Sequence, residues 1–441
     1  MDPELAKLEE KITQKNYLLG IIGLGYVGLP LSLAFLRKNI SVLGFDVDQN
    51  KIDTLLSGKS YIKHIPAQEL TGYLQQGQFN VTADFSKLNE ADVILICVPT
   101  PLTQNREPDM QYIESTARAI ANALRPGQLV VLESTTYPGT TVEVLLPVLE
   151  ETGLKGGKDF ALAYSPERED PGNTKYKTAD IPKVVGGLEQ DSTRIASLFY
   201  RTAIASVVEV SSTQAAEMSK LLENIFRSVN IAMVNEMKIL CHRMGIDLWE
   251  VIRASSTKPF GFMPFYPGPG LGGHCIPIDP FYLTSKAREY DCPTKFIELA
   301  GEVNTAMPYY VVQRVMEGLN SRKKSLNGAK LLLLGMAYKK DVDDPRESPS
   351  FKLMELLQER GAEVQYNDPH IPRIKPVRNY SFSMASTPLT KEILTAMDCV
   401  LIATDHSAYD YQFVLDHADL VVDTRNACKG LEGAADKVLQ A

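Results

Sequence analysis

The chain has little of what marks a membrane, secreted or nucleic-acid-binding protein. In 441 residues no apolar run approaches the ~20 that a bilayer span requires. The first residues, MDPELAKLEEKITQKN, are charged and helix-prone and lack the apolar core of an export signal. Six cysteines (Cys97, Cys241, Cys275, Cys292, Cys399 and Cys428) are scattered without CxxC spacing, so free thiols in a cytoplasmic protein are expected. Basic residues are outnumbered, 46 Lys and Arg against 54 Asp and Glu. The resulting net charge of -8 argues against a general nucleic-acid binder, though not against a small anion met by a few local cations. His274 and Cys275 have no partner pair at ligand spacing, so no metal is expected.

What is present is apolar material for a large core, 44% of residues, in a chain too long for one core. YLLGIIGLG (17–25), SVLGFDVD (41–48), ADVILICVPT (91–100) and QLVVLESTT (128–136) read as strands separated by helix-length segments. Strands apolar on both faces imply a parallel sheet covered on both sides. FALAYSPE (160–167), KVVGG (183–187) and SVVEV (206–210) extend it.

From Ser211 to about Gly245 there is neither Pro nor Gly, and Met218, Leu221, Leu222, Ile225 and Val229 recur at helical spacing. Such a helix would run roughly 50 Å, long enough to connect domains or line a subunit interface. A shorter helix at 246–256, a Gly/Pro loop at 258–278 and helices to about Asn320 follow. The last third repeats the opening pattern in KLLLLGMAY (330–338), AEVQYNDP (362–369), DCVLIATDH (398–406) and DLVVDTRN (419–426). The fold class is therefore α/β: two Rossmann-like parallel-sheet domains joined by a central helical region with a long connecting helix. The expected boundaries are 1–210, 211–320 and 321–441, with SRKKSLNGA (321–329) as linker.

Gly23-Leu-Gly25-Tyr26-Val27-Gly28 follows a strand and opens a helix. Gly23 permits the turn, Gly25 lets backbone approach a pyrophosphate, and Gly28 allows helix to pack on strand. The helix N-terminus offers unpaired N–H groups to phosphate. Asp46 ends the next strand near the ~20-residue offset of a ribose-binding acid, which favours NAD over NADP. Lys51 either supports that ribose or is a solvated helix lysine. Thr100 and Thr135 end later strands, where open α/β sheets bind ligands, but strand-end threonines are also common caps. In the last third only Gly335 follows the first strand. Tyr338, Lys339 and Lys340 occupy the turn, either as phosphate ligands or as a solvated basic loop.

The densest unusual stretch is PGPGLGGHCIPIDP (267–280). Its glycines bring backbone close to a ligand, and Cys275 lies just before a helix beginning near Asp279, where N–H groups favour the nucleophilic thiolate. The other five cysteines read as inert. On the long helix, Lys220 and Asn224 share a face, suited to a developing oxyanion. A lysine snorkelling from a packed helix is the alternative. The run Pro166-Glu167-Arg168-Glu169-Asp170 brings carboxylates to a strand end, or is simply solvated.

GLGYVGLP, STTYPGTT, SPERED, KLLEN, GPGLGGHCIPIDP, GMAYKKDVDDPRESPS and DTRN, in that order between Tyr17 and Lys429, resemble the nucleotide-sugar 6-dehydrogenases, the family of UDP-glucose and UDP-N-acetylhexosamine dehydrogenases. The resemblance implies an NAD domain, a central dimerisation region and a UDP-binding domain. It assigns the nucleophile to Cys275 and oxyanion stabilisation to Lys220 and Asn224. Glu167, Asp279 and Thr135 become acid–base or water-orienting groups. Arg168, Gly272, Tyr338, Lys339 and Arg425 join Glu167, Lys220 and Asn224 around the substrate, and Arg346 reaches the cofactor.

The implied reaction oxidises carbon 6 from alcohol to carboxylate with two NAD, through a Cys275 thiohemiacetal and thioester. Arg168-Glu169-Asp170-Pro171-Gly172-Asn173, KPFGFMPFYPGPG and His274 are most similar to the UDP-N-acetylglucosamine 6-dehydrogenases, which puts sugar contacts known from UDP-glucose enzymes in doubt. UDP-glucose, UDP-N-acetylgalactosamine and UDP-N-acetylmannosamine remain alternative substrates. A single-step hydroxyacid-type dehydrogenase and a non-catalytic NAD sensor are the alternatives from other classes.

Overall fold

The computed structural model describes residues 2–62, 65–103, 107–168, 178–273, 276–376 and 380–441. His274, Cys275 and the 169–173 part of the charge run lie outside them. Two compact units divide the chain, Met1–Glu223 with Phe281–Cys292 and Asn224–Pro280 with Pro293–Ala441.

The first unit holds an eight-stranded sheet of β1 (Leu18–Ile22), β2 (Ser41–Phe45), β3 (Phe79–Thr82), β4 (Val93–Ile96), β5 (Leu129–Leu132), β6 (Ala161–Tyr164), β7 (Lys183–Gly187) and β8 (Val207–Glu209), in the order 3-2-1-4-5-6-7-8. The reversal beside β1 is the switch point at which such sheets bind ligands. Successive side chains of a strand go to opposite faces, and here both faces are dry. Ile21, Val93, Leu95, Leu129 and Val131 join one core; Ile22, Ile94, Ile96, Val130 and Leu132 join the other. Each such burial stabilises by about 1.5–3 kcal/mol. This is why these strands carry no polar alternation.

The expected parallel sheet forms from β1 to β6 and carries one reversal beyond them. β7 runs antiparallel to β6, with Ala163 opposite Gly187 and Tyr164 opposite Gly186. A parallel return needs a crossover, usually a helix. Among the described residues, 165–182 contains only the single turn Thr178–Asp180. The sequence also did not signal β3, which is short and half polar.

The helix expected from Ser211 runs Thr213–Met244, 32 residues, and the division between units falls within it. The second unit has a five-stranded, wholly parallel sheet. Its strands are β9 (Lys330–Leu334), β10 (Glu363–Asn367), β13 (Cys399–Ile402), β14 (Val421–Asp423) and β15 (Val438–Gln440), in the order 10-9-13-14-15. A small antiparallel pair, β11 (Arg373–Ile374) and β12 (Met384–Ala385), lies outside it. The helices read before Asn320 include one of 27 residues, Lys295–Ser321, which continues through Pro308. Among the described residues no helix is long and apolar enough to cross a membrane.

Candidate active site

The turn after β1 is shaped by contact. A Cβ on Gly28 would sit 2.0 Å from the Gly23 carbonyl oxygen, whereas one on Gly25 would meet nothing within 4 Å. The first position is closed by packing, and the second is open where a ligand would lie. Tyr26 packs against the core and Val27 precedes helix Gly28–Leu36, whose start no side chain caps. Its N–H groups suit a pyrophosphate. Asp46, buried beyond β2, accepts hydrogen bonds from Leu24 N (3.0 Å), Asp48 N (3.0 Å) and Lys51 Nζ (2.9 Å). Lys51 therefore belongs to the acid rather than to solvent. A carboxylate has about four acceptor positions, so Asp46 keeps one for a ribose hydroxyl. These residues fit NAD.

The second unit repeats this turn. Gly335 has φ +91° against +93° for Gly23. Gly335 N donates to Asn367 O as Gly23 N does to Phe45 O. Asp368 takes the place of Asp46, but its oxygens receive Met336 N, Ala337 N, His370 N, Ile371 N and His406 Nε2 at 2.7–3.1 Å. Five donors saturate it. His406 Nδ1 accepts Asp341 N at 2.9 Å, so Nε2 carries the proton given to Asp368. Asp341, His370 and His406 gather within 4.8 Å, but that Nδ1 lone pair is already engaged.

At the carboxyl ends of the first unit's strands, Lys220, buried on the long helix, donates to the Glu167 carbonyl. Glu167 Oε1 accepts Arg168 N at 2.7 Å, and its Oε2 lies 3.4 Å from Lys183 Nζ. Arg168 pairs with Glu223 at 2.7 Å. Thr100 is buried, its carbonyl accepting Tyr282 Oη at 2.8 Å; Thr135 is half-buried. Glu217, one turn before Lys220, accepts Gly139 N (2.6 Å), Thr141 N (2.9 Å) and Thr141 Oγ1 (2.7 Å). It thereby anchors the segment after Thr135. Burial pushes its carboxyl up to about 7, against those hydrogen bonds.

In the second unit Asn224 Nδ2 donates to Asp279 Oδ2 at 2.6 Å, and Asp279 begins helix Asp279–Ala287 as the sequence predicts. The glycine-rich turn is seated on two residues singled out as ligands. A Cβ on Gly272 would lie 2.7 Å from Tyr338 Cβ, and one on Gly268 2.5 Å from Arg425 Nη1. Gly273 N donates to Arg346 O at 3.2 Å, while the Arg346 guanidinium pairs with Asp344 at 2.6 Å. Arg425 Nε donates to Ala403 O at 3.0 Å, and Lys339 is half-buried in the loop after β9.

Sequence reasoning missed the braces. Asn235 accepts Gly268 N at 3.0 Å and donates to Asn304 at 2.9 Å, both asparagines buried. Glu133 and Lys183 were read only as parts of strands. Their signal was a charge at the edge of an apolar run.

Residues 17–204, 214–306 and 332–430 match the NAD binding, central and UDP binding domains of the UDP-glucose/GDP-mannose dehydrogenase family. The UDP-N-acetyl-D-glucosamine 6-dehydrogenase of Pseudomonas aeruginosa is 34% identical over 397 residues, covering 90% of this chain and 92% of that protein. The UDP-N-acetyl-D-mannosamine dehydrogenase of Pyrococcus horikoshii is 33% identical over 395 residues, 89% and 90% of the two chains. A solved structure of the UDP-D-ManNAc dehydrogenase from Pyrococcus horikoshii has a TM-score of 0.86 at 32% identity, over 96% of this chain and 98% of that one. For the UDP-glucose dehydrogenase of Pyrobaculum islandicum the score is 0.82 at 26% identity, over 96% of each chain.

Proposed function

Because the chain belongs to the UDP-glucose/GDP-mannose dehydrogenase family and is an NAD-dependent UDP-sugar dehydrogenase, we propose that it oxidises carbon 6 of a UDP-N-acetylhexosamine to the carboxylate. UDP-N-acetylglucosamine is the first choice of substrate. Supporting this are the relatives above 30% identity that act on N-acetylated sugars and the segment that begins at Arg168. In this reading the segments 1–210, 211–320 and 321–441 serve cofactor, subunit contact and UDP.

The observation that carries the reading is the seating of the glycine-rich turn on Tyr338 and Arg425, directly before His274 and Cys275 in the chain. Bound NAD supplies the hydride acceptor. Cys275 attacks the aldehyde carbon to give a thiohemiacetal, whose oxidation leaves a thioester. Lys220 engages one of its three donors with the Glu167 carbonyl and has others for the oxyanion. Asn224, oriented by Asp279, adds a neutral donor. Glu167 and Thr135 direct water at the thioester, releasing the acid and the thiol.

With NAD and a panel of UDP-glucose, UDP-N-acetylglucosamine, UDP-N-acetylgalactosamine and UDP-N-acetylmannosamine, the acetylglucosamine compound should react fastest and yield two NADH per sugar. One NADH per sugar would remove the two-oxidation scheme. Preference for UDP-glucose would remove the hexosamine assignment.

A homodimer is part of the same reading. Phe226, Met233, Met237, Leu240 and Met244 are exposed along one stripe of the long helix, at the spacing of a helix–helix seam. Leu240→Glu would bury a charge there and should weaken association by ~100-fold or more, halving the mass seen by light scattering at micromolar protein. A wild-type monomer would end this part of the proposal.

A further inference from the structure

Behind Glu167 the first unit buries charges that the proposed reaction does not employ. Lys183, which opens β7, has a side chain 7% exposed and hydrogen-bonds the Glu133 carboxylate. Its Nζ also lies 3.2 Å from Pro166 O and 3.4 Å from Glu167 Oε2. Glu133, just beyond β5, is fully buried and takes the Tyr200 hydroxyl on its other oxygen. Tyr200 comes from helix Gln190–Arg201, its ring centroid 5.5 Å from Lys183 Nζ.

Burying an ammonium and a carboxylate costs several kcal/mol per ion, so such a pair is poor value as a source of stability. What it provides is placement. The antiparallel run of β7 carries it alongside the chain that leaves Tyr164, and there Lys183 Nζ meets Pro166 O and the Glu167 carboxylate. A parallel β7 would not bring them together. Of the two carboxylates at the ammonium, Glu133 is sealed and only Glu167 reaches partial exposure, at 13%. Among the described residues the polar groups near them include Cys97 beyond β4, whose thiol burial keeps neutral, Tyr200, Ser165, Arg168 with its partner Glu223, and Lys220 on the Glu167 carbonyl.

We propose that Lys183, clamped by Glu133 and Tyr200, is the positioning residue that holds the Glu167 carboxylate in place for its acid–base step. This rests on reading Glu167 as the acid–base group. A cation 3.4 Å away favours the charged carboxylate. The hydrogen bond to Pro166 O fixes the backbone one residue before it.

Removing Lys183 alone would leave Glu133 buried and unpaired, so the test variant is Lys183→Met with Glu133→Gln. Melting temperature and NAD binding report whether it folds. We expect kcat to fall about 10²-fold with KM for the UDP-sugar little changed. The acidic limb of the kcat profile should move up by about one pH unit or more, because losing a cation raises a neighbouring carboxylate's pKa. Added to Glu167→Gln, the pair should lower kcat no further. Wild-type kcat and acidic limb in the folded pair variant, with Glu167→Gln crippled, would overturn the positioning role alone. Glu167→Gln at the wild-type rate would overturn the reading of Glu167 itself.

Discussion

Cys275→Ser should lower net turnover from alcohol to carboxylate by on the order of 10³-fold or more while leaving NAD binding intact. A serine hydroxyl is far less nucleophilic at neutral pH than a thiol placed before a helix N-terminus, and helix Asp279–Ala287 begins four residues on. The scheme needs the sulfur as the atom that keeps the aldehyde and then leaves on hydrolysis. Single-turnover counting of NADH makes the difference visible. The wild type should give two per UDP-sugar, the variant no more than one on the same timescale. Two per sugar at an undiminished rate from the serine enzyme would leave the covalent route without support.

Lys220→Met should cost about 10²–10³-fold in kcat, the size of effect seen when one preorganised oxyanion donor is removed. Methionine keeps most of the volume in a buried site, so folding should be little affected. It loses both the charge and the hydrogen bond to the Glu167 carbonyl. Asn224→Ala should cost less, since a neutral donor is lost. Stopped-flow measurement of each oxidation would locate the defect, and a Lys220→Met enzyme within threefold of wild type would remove the ammonium from the reacting oxygen.

Much of this was legible in the chain itself. The strands β1, β2, β4, β5, β6, β9 and β13 declared themselves because both faces are dry. The long helix did so because nothing in it breaks helical periodicity. Gly23 to Gly28, Asp46 and the Asp279 helix start were readable because each carries a local rule of turn or cap chemistry.

What stayed hidden depends on long-range pairing. The reversal of β7 is set by how the chain returns after Tyr164, not by the apolar pattern of KVVGG. Glu133, Lys183 and Glu217 look like ordinary charges until the fold brings partners from 50 to 78 residues away. Lys51 and Lys220, both ambiguous as residues, became specific once Asp46 and the Glu167 carbonyl were beside them.

The saturated Asp368 has a kinetic corollary. Of the two look-alike turns among the described residues, only the one with Asp46 retains an acceptor for a ribose, so the proposed reaction has that one seat for its coenzyme. The proposed four-electron oxidation would fill that seat twice per sugar, emptying it in between, while the sugar waits. Unequal residence times are built into such a molecule, and a temporary bond from the sugar to sulfur is a direct way to secure the longer one.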